Sequence, residues 1–264
     1  METSKERLIE MSLTLPILLE TSDLIVINKP SGLSVHNENN TQSSVLELMG
    51  PHLHLAHRLD KETSGILMLS KKKSEAGQLM DSLSLPSSEK YYQAILRGQM
   101  SENNSGKTSS HQSTNPISKN ATNTSINISK NSLTNNSEQS LLWNWPISDK
   151  AEGRRNPKGK SEDRVEARTE IQIIKSNKYF SRIRALLLTG RQHQIRKHAA
   201  LANHPIVGDT RYNEIKYNQK IFAQYQFERM LLHAEYLKFE FKGNVFEVIA
   251  PTDSVFTEIF NPMV

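Results

Sequence analysis

Residues 165–188, VEARTEIQIIKSNKYFSRIRALLL, carry two runs rich in β-branched and apolar residues, Val165 to Ile174 and Phe180 to Leu188, on either side of Ser176-Asn177-Lys178. A turn that short cannot hold a crossover helix, so the two runs are expected to pair as antiparallel strands. The pattern recurs at the C-terminal end, where Met230 to Phe241 and Val245 to Ile249 flank Lys242-Gly243-Asn244 and read as a hairpin. Towards the N-terminus, Leu24 to Ile27, Gly65 to Leu69 and Lys90 to Leu96 read as buried strands. The first of these ends at the turn Asn28-Lys29-Pro30-Ser31-Gly32. Short helices are predicted over Ser43 to Met49 and over Ser74 to Leu83. The second has Ser74 as N-cap and Ala76, Leu79, Met80 and Leu83 on one face. A third is predicted from Gln192 to Ala202, just after Gly190. Strands dominate and many meet at tight turns. The fold class is α+β, a mixed and largely antiparallel sheet with flanking helices.

The chain has 264 residues, with 33 Lys and Arg against 28 Asp and Glu, a net charge of +5. This mild excess permits a polyanionic partner without demanding one. Cysteine is absent, which excludes a disulfide framework and a cysteine-zinc site and fits a reducing cytoplasm. No apolar run approaches the roughly 20 residues that span a bilayer, and the opening residues show no signal core. Only 36% of residues are hydrophobic, and the dilution has an address. In residues 101–140, Asn, Ser and Thr fill 25 of 40 positions. Such a segment cannot offset its ordering entropy by burial and is expected to be a disordered insertion. Its N-x-S/T triplets are read as chance. The expected organisation is an N-terminal extension over 1–16 and one domain over 17–264, interrupted by that insertion.

Three constellations carry possible chemistry. The first is His57-Arg58-Leu59-Asp60-Lys61-Glu62-Thr63-Ser64-Gly65, a loop entering a buried strand. Its cations would keep Asp60 ionised as nucleophile or base, although a solvated ion-pair loop is the bland alternative. The second is Thr189 to His198, inside a stretch from 171 to 208 with seven Lys or Arg and no acid. A helix opening there would aim backbone N–H groups at an anion beside Arg191 and Arg196. Arg196 could instead reach inward to Asp60, and an exposed basic helix face is the competing reading. The third is His52-x-His54-x-x-His57, where loop and strand-edge histidines are preferred to a metal site.

His57-Arg58-Leu59-Asp60-x-x-Thr63-Ser64-Gly65 resembles the signature of the RluA-type pseudouridine synthases. Further blocks follow in that family's order. They are Asn28 to Gly32 with Val35-His36, Lys90-x-Tyr92-x-Ala94 with Gly98, Thr189 to Arg196, His204 to Asp209, and Leu232-His233-Ala234 with Ala250-Pro251. The resemblance implies isomerisation of uridine to pseudouridine in structured RNA, rRNA or tRNA, with no cofactor and no metal. It implies Asp60 as the covalent catalyst, Tyr92 packing on the flipped uracil, and Arg196 paired with the aspartate. Tyr91 is the alternative to Tyr92, since neighbours on a strand face opposite sides. Arg58 would fill the space the base vacates, and Ile195 would be a wall of the uracil pocket or ordinary core. Arg191 and His193 are assigned to RNA contact. Two basic clusters, one at Lys71 to Lys73 and one containing Arg154 and Arg155, are assigned to RNA as well, with an exposed solubilising run as the alternative for each.

Gln192 departs from the family pattern at a solvent-tolerant position. No separate N-terminal RNA-binding domain is expected, nor an obligate protein partner or a membrane. The competing classes are an inactive RNA-binding protein or chaperone on the same fold, and a hydrolase built on the three histidines.

Overall fold

The computed structural model describes residues 15–36, 44–101, 140–149, 156–158 and 160–261. The first half contains β1 (Ile17–Glu20), β2 (Leu24–Lys29), α1 (Val45–Met49), β3 (His54–Leu55), β4 (Ser64–Ser70), α2 (Lys73–Ser82) and β5 (Glu89–Arg97). Then come β6 (Leu141–Trp143), β7 (Ile147–Ser148), β8 (Arg164–Val165), β9 (Thr169–Ser176) and β10 (Phe180–Leu187). The chain continues through α3 (Gln194–Leu201), α4 (Ile215–Tyr225), β11 (Leu232–Phe241), β12 (Asn244–Ile249) and α5 (Val255–Glu258).

Among the described residues, ten strands form one sheet in the order β1-β2-β4-β11-β5-β10-β9-β6, with β12 added on β11 and β3 on β4. Its pairings are antiparallel except the short parallel contact of β11 with β4. The mixed, largely antiparallel α+β class read from the sequence is the observed one. β9 and β10 pair as expected, but Arg164–Val165 forms a separate strand with β7. The turn between β11 and β12 narrows to Lys242 and Gly243, at φ 51° and 75°. Those left-handed conformations suit the twist of a two-residue hairpin.

The parallel contact decides where the Asp60 loop lies. Ser64 and Gly65 lie beside His233 and Ala234 of β11. Gly65 has φ +108°, and a Cβ there would fall 2.2 Å from the Ala234 carbonyl oxygen. Only glycine lets the strands approach so closely. On its other side Ala234 pairs with Tyr92 of β5. Three adjacent strands therefore align the end of the Asp60 loop with Tyr92. Tyr92 also packs against two of the three buried clusters of the core, one around β2 and β4, the other around β9, β10 and α3.

Helix ends correct the sequence reading in two places. The N-cap of α2 is Lys72, without a side-chain cap, so Ser74 lies inside the helix, and Met80 is 55% exposed rather than buried with Leu79. α3 starts at Gln194, two residues later than expected, because His193 adopts a left-handed conformation with φ 54°. α1 is closed by a capping box in which Ser44 accepts from the Glu47 N–H and Glu47 from the Ser44 N–H. Residues 102–139 lie outside the described residues, so the expected disorder of the insertion does too, as do Arg154 and Arg155. Among the described residues, no helix is long and apolar enough to cross a membrane.

Candidate active site

A cleft of about 570 Å³ opens where the loop before β4, strand β5 and the start of α3 converge. Asp60, Arg58, Tyr92, Arg191, His193, Ile195 and Arg196 all line it. The sequence placed these residues across 139 positions, and the fold brings them to one wall-to-wall pocket.

The Asp60 loop is held from beneath by the turn after β2. Lys29, fully buried, donates from Nζ to the carbonyls of Pro30 and Leu33 at 2.9 Å each and of Lys61 at 3.1 Å. Burial lowers the Lys29 pKa to about 7, partly offset by Asp60 and Glu62. Three carbonyl acceptors match the three protons of the ammonium form. The Gly32 N–H adds a second bond to the Lys61 carbonyl at 2.8 Å, and Ser31 Oγ donates to the Glu62 carbonyl at 2.5 Å. The loop closes on itself through the Thr63 N–H and the Asp60 carbonyl, 3.1 Å apart.

Asp60 keeps a partly exposed carboxylate, with 24% of the side chain accessible. Arg196 Nη1 donates to its Oδ2 at 2.9 Å. The rest of that guanidinium is committed to Asp209, Nε to Oδ2 at 2.8 Å and Nη2 to Oδ1 at 2.9 Å. Burial alone would depress the Arg196 pKa, but the bonds and charge of Asp209, and then Asp60, hold its proton more firmly than usual. His193 Nε2 lies 3.6 Å from Asp60 Oδ1. Burial pushes the His193 pKa down to about 4 against the pull of Asp60, so the ring is neutral near pH 7. Its other nitrogen, Nδ1, is hydrogen-bonded to the Tyr212 hydroxyl at 3.1 Å.

Tyr92 forms the facing wall. Burial first, then the charge of Asp60, raises its pKa well above the ordinary tyrosine value, so the phenol stays protonated. Tyr91 points to the opposite face, with its ring 4.2 Å beneath the Arg184 guanidinium and edge-on to Tyr236. The choice between neighbouring tyrosines is thus made by strand alternation. Ile195 lines the cleft and is also buried against the core beside Ala199 and Leu232, so wall and core are the same residue.

The basic helix does not form an exposed face. Arg196, Lys197 and His198 are all buried. Lys197 Nζ donates to the Ser148 carbonyl at 2.5 Å. His198 is bonded through Nδ1 to Thr169 Oγ1 at 2.9 Å and through Nε2 to the Trp145 carbonyl at 3.0 Å. Trp143 and Trp145 pack edge-on against its ring and anchor the segment before β7. Gln194 pins the loop that opens α3. Its Oε1 accepts from Thr189 Oγ1 and the Arg191 N–H, and its Nε2 donates to the Arg168 carbonyl and Thr169 Oγ1. The sequence reading assigned no role to Gln194, Lys29 or Asp209. Their only signal was membership of the quoted blocks.

Arg58 is exposed at the rim of the cleft. Arg191 donates through Nε to the Glu166 carbonyl at 3.1 Å, and Asp149 accepts from the neighbouring Gln192 N–H at 3.1 Å. Lys71 lies apart from the cleft lining, ion-paired to Glu20 at 2.7 Å. Lys72 is likewise paired, to Asp23 at 2.6 Å. His57 is structural, its Nε2 accepting from the Met68 N–H at 3.0 Å, which uses the lone pair a metal would need. Among the described residues, no three His, Asp or Glu side chains converge as metal ligands.

The sequence model of the RNA pseudouridylate synthase family matches residues 23–201. The ribosomal large subunit pseudouridine synthase C of Yersinia pestis is 32% identical over 246 residues, 90% of this chain and 66% of that protein. The protein of the same name from Salmonella typhi is 31% identical over 246 residues, with the same coverage, 90% and 66%. The chain therefore spans about two thirds of the length of these curated relatives. The solved structure of human RNA pseudouridylate synthase domain containing 1 superposes with a TM-score of 0.66 at 21% identity, covering 95% of this chain and 87% of that one. Human RNA pseudouridylate synthase domain containing 4 gives 0.65 at 21% identity, with 96% and 94% covered. These two likenesses establish the fold. With its family match spanning more than half its length, the chain belongs to the RNA pseudouridylate synthase family, in the RluA-type branch its motifs define.

Proposed function

We propose that the chain isomerises uridine to pseudouridine in structured RNA, with Asp60 as the catalytic carboxylate. The observation that carries this reading is the Arg196–Asp60 contact of 2.9 Å in a cleft roofed by Tyr92. The names of the curated relatives favour large-subunit ribosomal RNA as the substrate and the cytoplasm as the setting.

The reaction breaks the bond from uracil N1 to C1′ of the ribose, turns the base, and joins C5 to C1′; the C5 proton is released to solvent and N1 takes one up in exchange. Atoms and electrons balance within the nucleoside, so neither an oxidant nor a transferred group is needed. A uridine within a helix must first leave its stack, which costs a few kcal/mol. Arg58 at the rim is placed to enter the vacated space. Tyr92 offers its ring to the extruded uracil, and Ile195 closes the apolar side. Asp60 forms a transient covalent bond to the nucleoside while the N1–C1′ bond is open, and that bond breaks again as C5 joins C1′, which regenerates the carboxylate. Arg196 holds one oxygen of that carboxylate and so orients the other. Because the Tyr92 phenol is held protonated, it serves as a stacking surface and a donor, not as a phenolate base. Arg191 and His193 border the same opening, while Lys71 is placed to meet RNA only beyond it.

The test is to incubate the purified chain with unmodified transcripts of large-subunit rRNA and of tRNA, with and without a chelator, and to map pseudouridine. Conversion at discrete uridines, unaffected by the chelator, is expected. Binding of both RNAs with no conversion in either would favour the inactive RNA-binding alternative and overturn this reading.

A further inference from the structure

We propose that Asp209 is the positioning residue of the catalytic carboxylate, aligning Asp60 through both of its oxygens. The inference rests on the role given to Asp60 above. Asp209 is fully buried, where an aspartate persists only if paired and hydrogen-bonded. It takes the Nε and Nη2 edge of Arg196 in a bidentate pair. A planar guanidinium fixed along one edge has its remaining Nη1 fixed as well, and that nitrogen is the one on Asp60 Oδ2. Asp209 Oδ1 also accepts from the N–H groups of Arg211, at 2.8 Å, and Tyr212, at 3.0 Å. That turn aims the Tyr212 hydroxyl at His193, whose other nitrogen faces Asp60 Oδ1. One buried side chain thus governs the groups on both oxygens.

The Asp209 backbone is itself immobilised. Asn218 Nδ2 donates to the Asp209 carbonyl at 3.0 Å, and its Oδ1 accepts from the Gly208 N–H at 3.0 Å. Charge adds a second effect. Two aspartates share one guanidinium, so Asp209 withholds part of the positive field that Arg196 would otherwise direct at Asp60. A nucleophilic carboxylate gains from a partner that orients it without fully neutralising it.

The test compares Asp209→Asn and Asp209→Glu with the wild-type chain in single-turnover pseudouridine formation, alongside RNA affinity and thermal melting. In Asp209→Asn the amide nitrogen confronts an N–H of Arg196, so the guanidinium loses the edge that fixes it. The expected result is turnover by the folded protein reduced about 30-fold or more, with RNA affinity within about twofold. A merely structural role would lower the melting temperature and the fraction of active protein without slowing conversion by the folded fraction. Asp209→Glu keeps the charge and displaces the guanidinium. It is expected to lose turnover while keeping RNA affinity, and it carries the test if Asp209→Asn fails to fold. Wild-type turnover in a folded variant would overturn the proposal. Asp60→Asn, assayed in parallel, separates the two claims, since activity in that variant would instead defeat the assignment of Asp60.

Discussion

Lys29 and Lys61 are joined by a hydrogen bond of 3.1 Å, from the buried ammonium of one to the backbone carbonyl of the other, one residue past Asp60. Thirty-two positions apart in the chain, they form the floor on which the Asp60 loop rests. The Asp60 side chain reaches the cleft because its backbone is tied at Lys61 and Glu62 to the turn after β2.

Lys29→Met keeps the length of the side chain and removes its three donors. The Pro30, Leu33 and Lys61 carbonyls lose a buried partner, at a cost of roughly 1–3 kcal/mol for each left unsatisfied. The variant should melt several degrees lower and lose turnover out of proportion to its folded fraction, as the Asp60 loop drifts. Urea unfolding followed by an activity assay on the folded protein checks both. Turnover equal to wild type at full folding would show that the loop needs no such support.

Tyr92 separates into a ring and a hydroxyl. The phenol is kept protonated by burial and by Asp60, and the ring is the part proposed to meet the base. Tyr92→Phe should retain RNA affinity, whereas Tyr92→Ala should lose the roughly 1–3 kcal/mol typical of base stacking on an aromatic side chain. RNA titrations of the two variants distinguish them. Equal weakening in both would assign the interaction to the hydroxyl.

Acid should destabilise the fold through His57 and His198. Burial lowers both from the ordinary 6.5 to about 4, with Lys90 adding to the effect at His57. Between those values the unfolded chain binds a proton that the folded chain does not, so stability is full above about pH 6.5 and falls as pH drops towards 4. The loss at pH 4.5 is of the order of 2–3 kcal/mol per histidine. Urea unfolding at pH 7.5 and 4.5 measures it. The double variant His57→Gln/His198→Gln should show a smaller difference between the two pH values; an unchanged difference would assign the acid sensitivity to other groups.

Much of the sheet was legible because its strands alternate and meet at short turns, as in 165–188. α4 was not, for its N-cap, Glu214, makes no side-chain cap and its C-cap is Gln226 in the left-handed region instead of a glycine. The site was legible as a set of named residues but not as an arrangement. A run such as Arg196-Lys197-His198 reads as surface, since charged residues are seldom buried. The partners that make burial tolerable come from elsewhere, Asp60 136 positions away and Asp209 thirteen. Lys29 was hidden for the same reason, its acceptors being backbone carbonyls that no side-chain pattern reveals.

The central claim is that the Asp60 carboxylate performs the chemistry. Asp60→Asn preserves the shape and removes the charge. The direct measurement is the rate of pseudouridine formation by this variant and by wild type on the same RNA, with binding and melting recorded in parallel. The account predicts a folded, RNA-binding protein whose product formation is undetectable. Product formed at a rate comparable to wild type would contradict it.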